Sequence, residues 1–169
     1  MLRLLSVPGR FEPNRCAGRK APAVTQPTRA ARPPARGDEL HAGREADVEF
    51  EFSAASLRDV RRLVAREADH CELSSIRRKD LVLAVDELAT NSIAHGGGHG
   101  TLRVWRDRRA ILCEVRDRGH ISDPMVGMRQ PTPEQLGGRG LWIVGRVCDR
   151  VQISSARGRT TVRVRMSAV

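Results

Sequence analysis

Three short stretches of this chain carry residue types at spacings that can do chemistry. The first is Glu87-Leu-Ala-Thr-Asn91-Ser-Ile-Ala-His95. If it is helical, a carboxylate and an amide four residues apart lie on one side, with His95 one turn further on. Two hard oxygens stacked in this way suit Mg²⁺, or the orientation of a water or hydroxyl. The plain alternative is a solvated helix face. The second stretch is Glu114-Val-Arg-Asp117-Arg-Gly119. An aspartate at a strand end can accept a hydrogen bond from an exocyclic amine, and a glycine beside it lets a flat ring approach the backbone. The same residues also make an ordinary turn. The third is Gly137-Gly138-Arg139-Gly140-Leu141, which opens a helix. Glycines there expose backbone N–H groups at the positive end of the helix dipole, which suits a polyphosphate as well as it suits a plain loop.

These stretches need elements to position them. Val48, Phe50 and Phe52 alternate with Glu49 and Glu51, which predicts a strand. The same period of two recurs at Leu102 and Val104, at Ile111, Cys113 and Val115, at Val151 and Ile153, and at Val162, Val164 and Met166. Such clean alternation predicts an antiparallel sheet with one face in water and helices over the other. A first helix is expected from Ser56 to about Cys71, with Leu57, Val60, Leu63, Val64 and Ala68 at helical spacing behind a serine cap. Ser74 or Ser75 can cap a second helix that runs to His95 and stops at Gly96-Gly97-Gly98. On it Leu81, Val82, Val85, Leu88, Ala89 and Ile93 share the sheet-facing arc, with Glu87 and Asn91 nearly opposite. A third helix follows Gly138 and carries Leu141, Trp142, Val144 and Val147. The order is strand, two helices, two strands, a loop with Pro131 and Pro133, a helix, and two strands. This predicts a two-layer α+β sandwich with a mostly antiparallel or mixed sheet, not an alternating βαβ fold.

The 169 residues carry 30 basic and 20 acidic groups, a formal charge of +10. Residues 1–45 hold half of that excess and six of the nine prolines, with little apolar periodicity. They read as a disordered basic tail before one domain at 46–169. All but Lys20 and Lys79 of the basic residues are arginine, and the tail holds a single aromatic, Phe11. Direct nucleic-acid binding is therefore not expected. No stretch reaches the ~20 apolar residues of a membrane span. Cys16, Cys71, Cys113 and Cys148 form no C-x-x-C pair, which argues against a zinc ribbon and fits a reducing cytoplasm.

Taken together and in order, the Glu87–His95 stretch, Asp117-Arg-Gly119, Gly138-Arg-Gly140-Leu141 and Thr160-Thr161-Val162 resemble the GHKL ATPase superfamily, the histidine-kinase-like ATPases. Within it the chain is similar to the bacterial anti-sigma-factor serine/threonine kinases. The resemblance covers about residues 47–166 and implies a Bergerat-type fold with ATP and Mg²⁺ as cofactors. It implies that Asn91 holds Mg²⁺ and that Glu87 is the catalytic base. Asp117 would bind the adenine amine, with Gly119 shaping that pocket. Gly138, Arg139, Gly140 and Leu141 would contact phosphates, and Thr160 and Thr161 would lie beneath the adenine. His95 ends the first box with either a binding or a structural part, and residues 120–136 would form a lid. One departure stands out: the family's second adenine-box glycine is Ile121 here.

The expectation is a cytoplasmic bacterial kinase domain that regulates transcription by partner switching. It would phosphorylate an anti-anti-sigma (STAS-type) protein, bind a sigma factor, or both, with a homodimer compatible with either. The alternative is a non-catalytic nucleotide-binding module that sequesters a sigma factor or another regulator. A histidine-kinase catalytic domain is disfavoured, because no long phosphoacceptor helix pair precedes residue 47.

Overall fold

The computed structural model describes residues 3–7, 44–123, 126–127 and 138–168. It contains β1 (Arg3–Val7), β2 (Arg44–Ser53), a 3-10 turn at Ala54–Ser56, α1 (Leu57–His70), α2 (Ser75–His95), β3 (His99–Asp107), β4 (Ala110–Asp117), α3 (Arg139–Val147), β5 (Arg150–Ala156) and β6 (Arg159–Ser167). The strands form one sheet in the order β1-β5-β6-β4-β3-β2, and every neighbouring pair is antiparallel. The α+β sandwich is as expected, with the sheet wholly antiparallel. Among the described residues no helix is long and apolar enough to cross a membrane.

Two details at the start of the chain differ from expectation. Arg3–Val7, assigned from sequence to a disordered tail, pair with Ser155–Val151 as an edge strand. The outer side of β5 carries open backbone donors and acceptors that a short segment can satisfy without a periodic pattern of its own. The domain's first full strand also begins at Arg44, ahead of the expected boundary at 46. Residues 8–43 lie outside the described residues.

α2 packs between α1 and α3 and lies across β3, β4 and β6. Its buried residues are Leu81, Ala84, Val85, Leu88, Ala89 and Ser92. Val82 and Ile93 sit at the margin of this face and are only partly covered. Ser74 caps the helix, its Oγ accepting from the Arg77 N–H at 3.4 Å. Ser56, the expected cap of α1, makes no such bond. It instead accepts from the Ser53 N–H at 2.9 Å and so holds the turn before the helix.

The face without helices is less open than alternation suggests. Trp105 is 4% exposed and Glu114 only 2%. Arg103 and Arg163 lie over the Trp105 ring, 5.7 and 5.3 Å from its centroid. Arg163 Nε and Arg116 Nε donate to opposite oxygens of Glu114 at 2.9 and 2.7 Å. Long arginine stems thus cover apolar surface while their heads reach partners. Burial pushes the Glu114 carboxyl up, but Arg163 and then Arg116 more than offset it, so its pKa lies below the ordinary carboxylate value.

Candidate functional site

A cavity of about 320 Å³ opens at the sheet end where β4 finishes and β6 begins. That volume falls in the range of roughly 300–1,000 Å³ usual for small-molecule pockets. Its walls come from the C-terminal half of α2, the chain following β4, the start of α3 and the first residues of β6. Leu88, Val115, Leu141 and Val162 make the walls apolar, while Asn91, Asp117 and Thr160 bring polar atoms to them.

Asp117 is held from two sides. Ser92 Oγ donates to Oδ2 at 2.6 Å, and the Gly119 N–H donates to Oδ1 at 2.7 Å. Each oxygen keeps a lone pair for a further donor. Ser92 was not expected from the sequence. It is 1% exposed on the sheet side of α2, one turn after Leu88. The available signal was its spacing: Leu81, Val85, Leu88 and Ser92 share one helical arc, so a hydroxyl there must find a buried partner.

Gly119 lines the cavity and has a second job beside it. A Cβ on it would lie 2.8 Å from the His95 carbonyl oxygen and 3.1 Å from the Gly96 Cα. Its missing side chain therefore admits protein backbone, and Arg118 N–H donates to the Gly96 carbonyl at 3.1 Å in the same seam. The seam ties the end of α2 to the end of β4 and thereby fixes Asp117 beside Ser92. Ile121, in place of the family's second glycine, is also anchored. Its N–H donates to Ser155 Oγ at 2.8 Å, and its side chain packs on the core. Ser155 Oγ in turn lies 2.8 Å from Thr160 Oγ1, so the chain leaving Asp117 is fastened to the floor of the cavity.

At the opposite wall, Gly138 is the N-cap of α3 with φ +81, a left-handed conformation suited to glycine, and it offers no side-chain acceptor to the first turn. A Cβ on Gly140 would fall 2.7 Å from Glu87 Oε2 and 3.1 Å from Asn91 Nδ2. The two polar residues of α2 thus press against a glycine at the start of α3, and are not on a free solvated face. Glu87 stands just outside the cavity wall and Asn91 forms part of it.

The structure therefore brings Asn91, His95, Asp117, Gly119, Gly138, Gly140, Leu141 and Thr160 around one cavity, with Glu87 at its edge. Two expected residues are not there. Arg139 is exposed at the first position of α3 and takes no part in the wall. Thr161 is excluded by the alternation of β6. Thr160 and Val162 face the cavity, so Thr161 points to the helix-free side with Arg163. Of the expected lid, residues 124–125 and 128–136 lie outside the described residues.

The residues present suit a magnesium nucleotide. Among the described residues no group of three His, Cys, Asp or Glu side chains could cage a metal. Mg²⁺ characteristically takes one or two protein oxygens and completes its shell with phosphates and water. Asn91 would provide such an oxygen, with the Glu87 carboxylate beside it, next to a helix start without a side-chain cap, where backbone N–H groups can meet phosphate. Cys71, Cys113 and Cys148 are buried free thiols. Burial pushes Cys148 up to about 12 and Cys113 higher still, so neither offers a thiolate for catalysis.

No curated protein matches the chain. A similar solved structure is that of the RsbU and RsbW domains of Rv1364c from Mycobacterium tuberculosis. It has a TM-score of 0.55 and 15% identity over 73% of this chain and 32% of that one. The chain thus spans about a third of that protein's length, and at this identity the likeness is one of fold. The Acinetobacter baumannii histidine kinase AdeS aligns with a TM-score of 0.41 and 13% identity, covering 72% of this chain and 68% of that one. The family model for the histidine kinase-like ATPase domain matches residues 50–166, which contain every wall of the cavity. With that match over most of its length, the chain belongs to the histidine kinase-like ATPase domain family.

Proposed function

We propose that this domain is an ATP-dependent protein serine/threonine kinase of the anti-sigma type, acting in the bacterial cytoplasm by partner switching. The observation that carries the reading is the division of labour around one cavity. An anchored carboxylate, Asp117, stands at one end, and the Glu87–Asn91 pair faces Gly140 at the other. In this reading Asp117 accepts the adenine amine, Thr160 floors the base, and the first N–H groups of α3 hold phosphate oxygens. Asn91 supplies a neutral oxygen to the cation, and Glu87 takes the proton of a partner's hydroxyl. Mg-ATP, when bound, supplies the phosphoryl group and the charge that neutralises it in transfer. The hydroxyl belongs to an anti-anti-sigma protein of the STAS type, and the unmodified complex is exchanged for one with a sigma factor.

The test is transfer of labelled γ-phosphate to a purified STAS-type anti-anti-sigma protein from the same genome. The parent should transfer label to serine or threonine and Glu87→Ala should not. Nucleotide binding without transfer would replace this reading with that of a sequestering module. The pinned start of the lid at Ile121 favours that second reading, because it restricts the movement a turnover cycle uses.

A further inference from the structure

Among the described residues, the exposed large hydrophobic side chains are Ile76, at 71%, and Leu83, at 42%. Isolated exposed apolar residues are ordinary on any protein surface. These two are not isolated from each other or from the site. Both lie on α2, seven residues apart. At 100° per residue, Ile76, Leu83, Thr90 and Ala94 fall within about 40° of one another. All four are exposed, so they form one unobstructed stripe along the helix. Glu87 lies within about 40° of Leu83 and one turn, about 6 Å, beyond it. Asn91, turned about 40° further round, faces Gly140 and the cavity. Glu87 therefore stands on the border between the stripe and the nucleotide site.

We infer that this stripe is the docking surface for the protein substrate, an inference that rests on the kinase reading above. Apolar side chains of the substrate cover Ile76 and Leu83, and its hydroxyl-bearing residue reaches Glu87 on the border of the same helix face. Lys79 lies on the flank of the stripe, exposed and with no ion pair to any described residue. It selects an acidic group beside the apolar anchors. The small residues Thr90 and Ala94 leave room past Glu87 for the substrate backbone.

The size of the patch selects this occupant over a second copy of the chain. A lasting dimer covers about 800 Å² on each partner, far more than two side chains provide. A substrate that must leave after each turnover needs only a few anchors, because a small number of central residues carries most of an interface's energy. The location argues the same way, since a stripe that runs alongside the proposed base serves a substrate and has no use in a distant assembly contact.

The experiment uses the full chain with Mg-ATP and a purified STAS-type anti-anti-sigma protein from the same genome. Binding and label transfer are measured for the parent, Ile76→Glu, Leu83→Glu and Leu83→Met. The glutamate variants should raise Kd and KM for the protein substrate at least tenfold and leave Mg-ATP affinity and melting temperature at parental values. Leu83→Met should behave as the parent. Parental Kd and KM in both glutamate variants would overturn the docking surface while leaving the kinase reading standing. Binding without transfer in the parent, lost in the glutamate variants, would leave the docking surface standing and remove the kinase reading. A parent that neither binds nor modifies the STAS protein overturns both. A parent that sediments as a dimer and glutamate variants that sediment as monomers would make the stripe a self-interface and overturn the proposal.

Discussion

Replacing Asp117 by asparagine changes a single acceptor into a donor at the centre of the cavity. In the parent, Oδ2 accepts from Ser92 Oγ at 2.6 Å and Oδ1 from the Gly119 N–H at 2.7 Å. Asparagine can keep its carbonyl oxygen on Gly119 and turn its NH₂ toward Ser92. The serine hydroxyl is already 3.1 Å from the Leu88 carbonyl oxygen and can donate there while it accepts from the amide. The buried network is thereby satisfied again, and the variant should melt within a few degrees of the parent. An adenine amine, however, would now meet an N–H group. An unmatched buried donor costs about 1–3 kcal/mol, which raises Kd for Mg-ATP roughly 5- to 150-fold. The same NH₂ can donate to the oxygen of guanine, so the preference for ATP over GTP should narrow. Isothermal titration with both nucleotides, alongside thermal denaturation, reads both effects. Parental ATP affinity in a folded variant would show that Asp117 does not meet the base. A collapse in melting temperature would show that the carboxylate is there for the fold.

Five further outcomes follow from the geometry. Asn91→Ala should weaken Mg-ATP binding itself, whereas Glu87→Ala should leave affinity within a few-fold and cut transfer by roughly 10²–10⁴, because a base acts only in the transition state. Gly140→Ala places its Cβ 2.7 Å from a movable Glu87 oxygen and should lower transfer with little loss of stability. Gly96→Ala meets the Ser92 carbonyl at 2.6 Å and the Asp117 Cγ at 2.5 Å, and should lower the melting temperature by several degrees. Glu114 and Asp149 both have lowered pKa values; for Asp149 burial pushes it up, but the Arg77 hydrogen bond and then the Ser167 N–H outweigh it. The unfolded chain therefore binds more protons in acid. Stability should be complete above about pH 5 and fall through pH 4 and below, less steeply in Glu114→Gln, as melting curves across pH will show. A chain shortened to begin at Arg44 should lose the edge strand β1 and keep nucleotide binding in titration, since every wall of the cavity lies between residues 88 and 162. Loss of nucleotide binding on trimming would show that the N-terminal residues support the site.

Much of the fold was legible in the chain. Strand alternation and helical arcs depend on neighbours two to four residues away, so the periods at Phe50, Leu102, Ile111, Val151 and Val162 appear in the sequence directly. The boundaries of α2 and α3 were legible for the same reason, because a capping serine and flanking glycines act on the adjacent turn. β1 was not, since its five residues pair as an edge strand through backbone groups that any sequence carries. Thr161 was placed in the site by its match to a motif, and the pleat of β6 decided otherwise.

The sequence by itself determined which residue types stand at Glu87, Asn91, Asp117 and Gly140, and on which kinds of element. Only the tertiary structure decided how they meet. Ser92 and Asp117 are 25 residues apart and share a 2.6 Å hydrogen bond. Glu114 and Arg163 are 49 apart and neutralise one another on a face expected to be open. Gly119 is a glycine because the backbone of His95 lies against it, a neighbour brought there by the packing of α2 over the sheet. A local pattern can report its own period, but not which distant group will close a cavity on it, because that depends on how the layers stack.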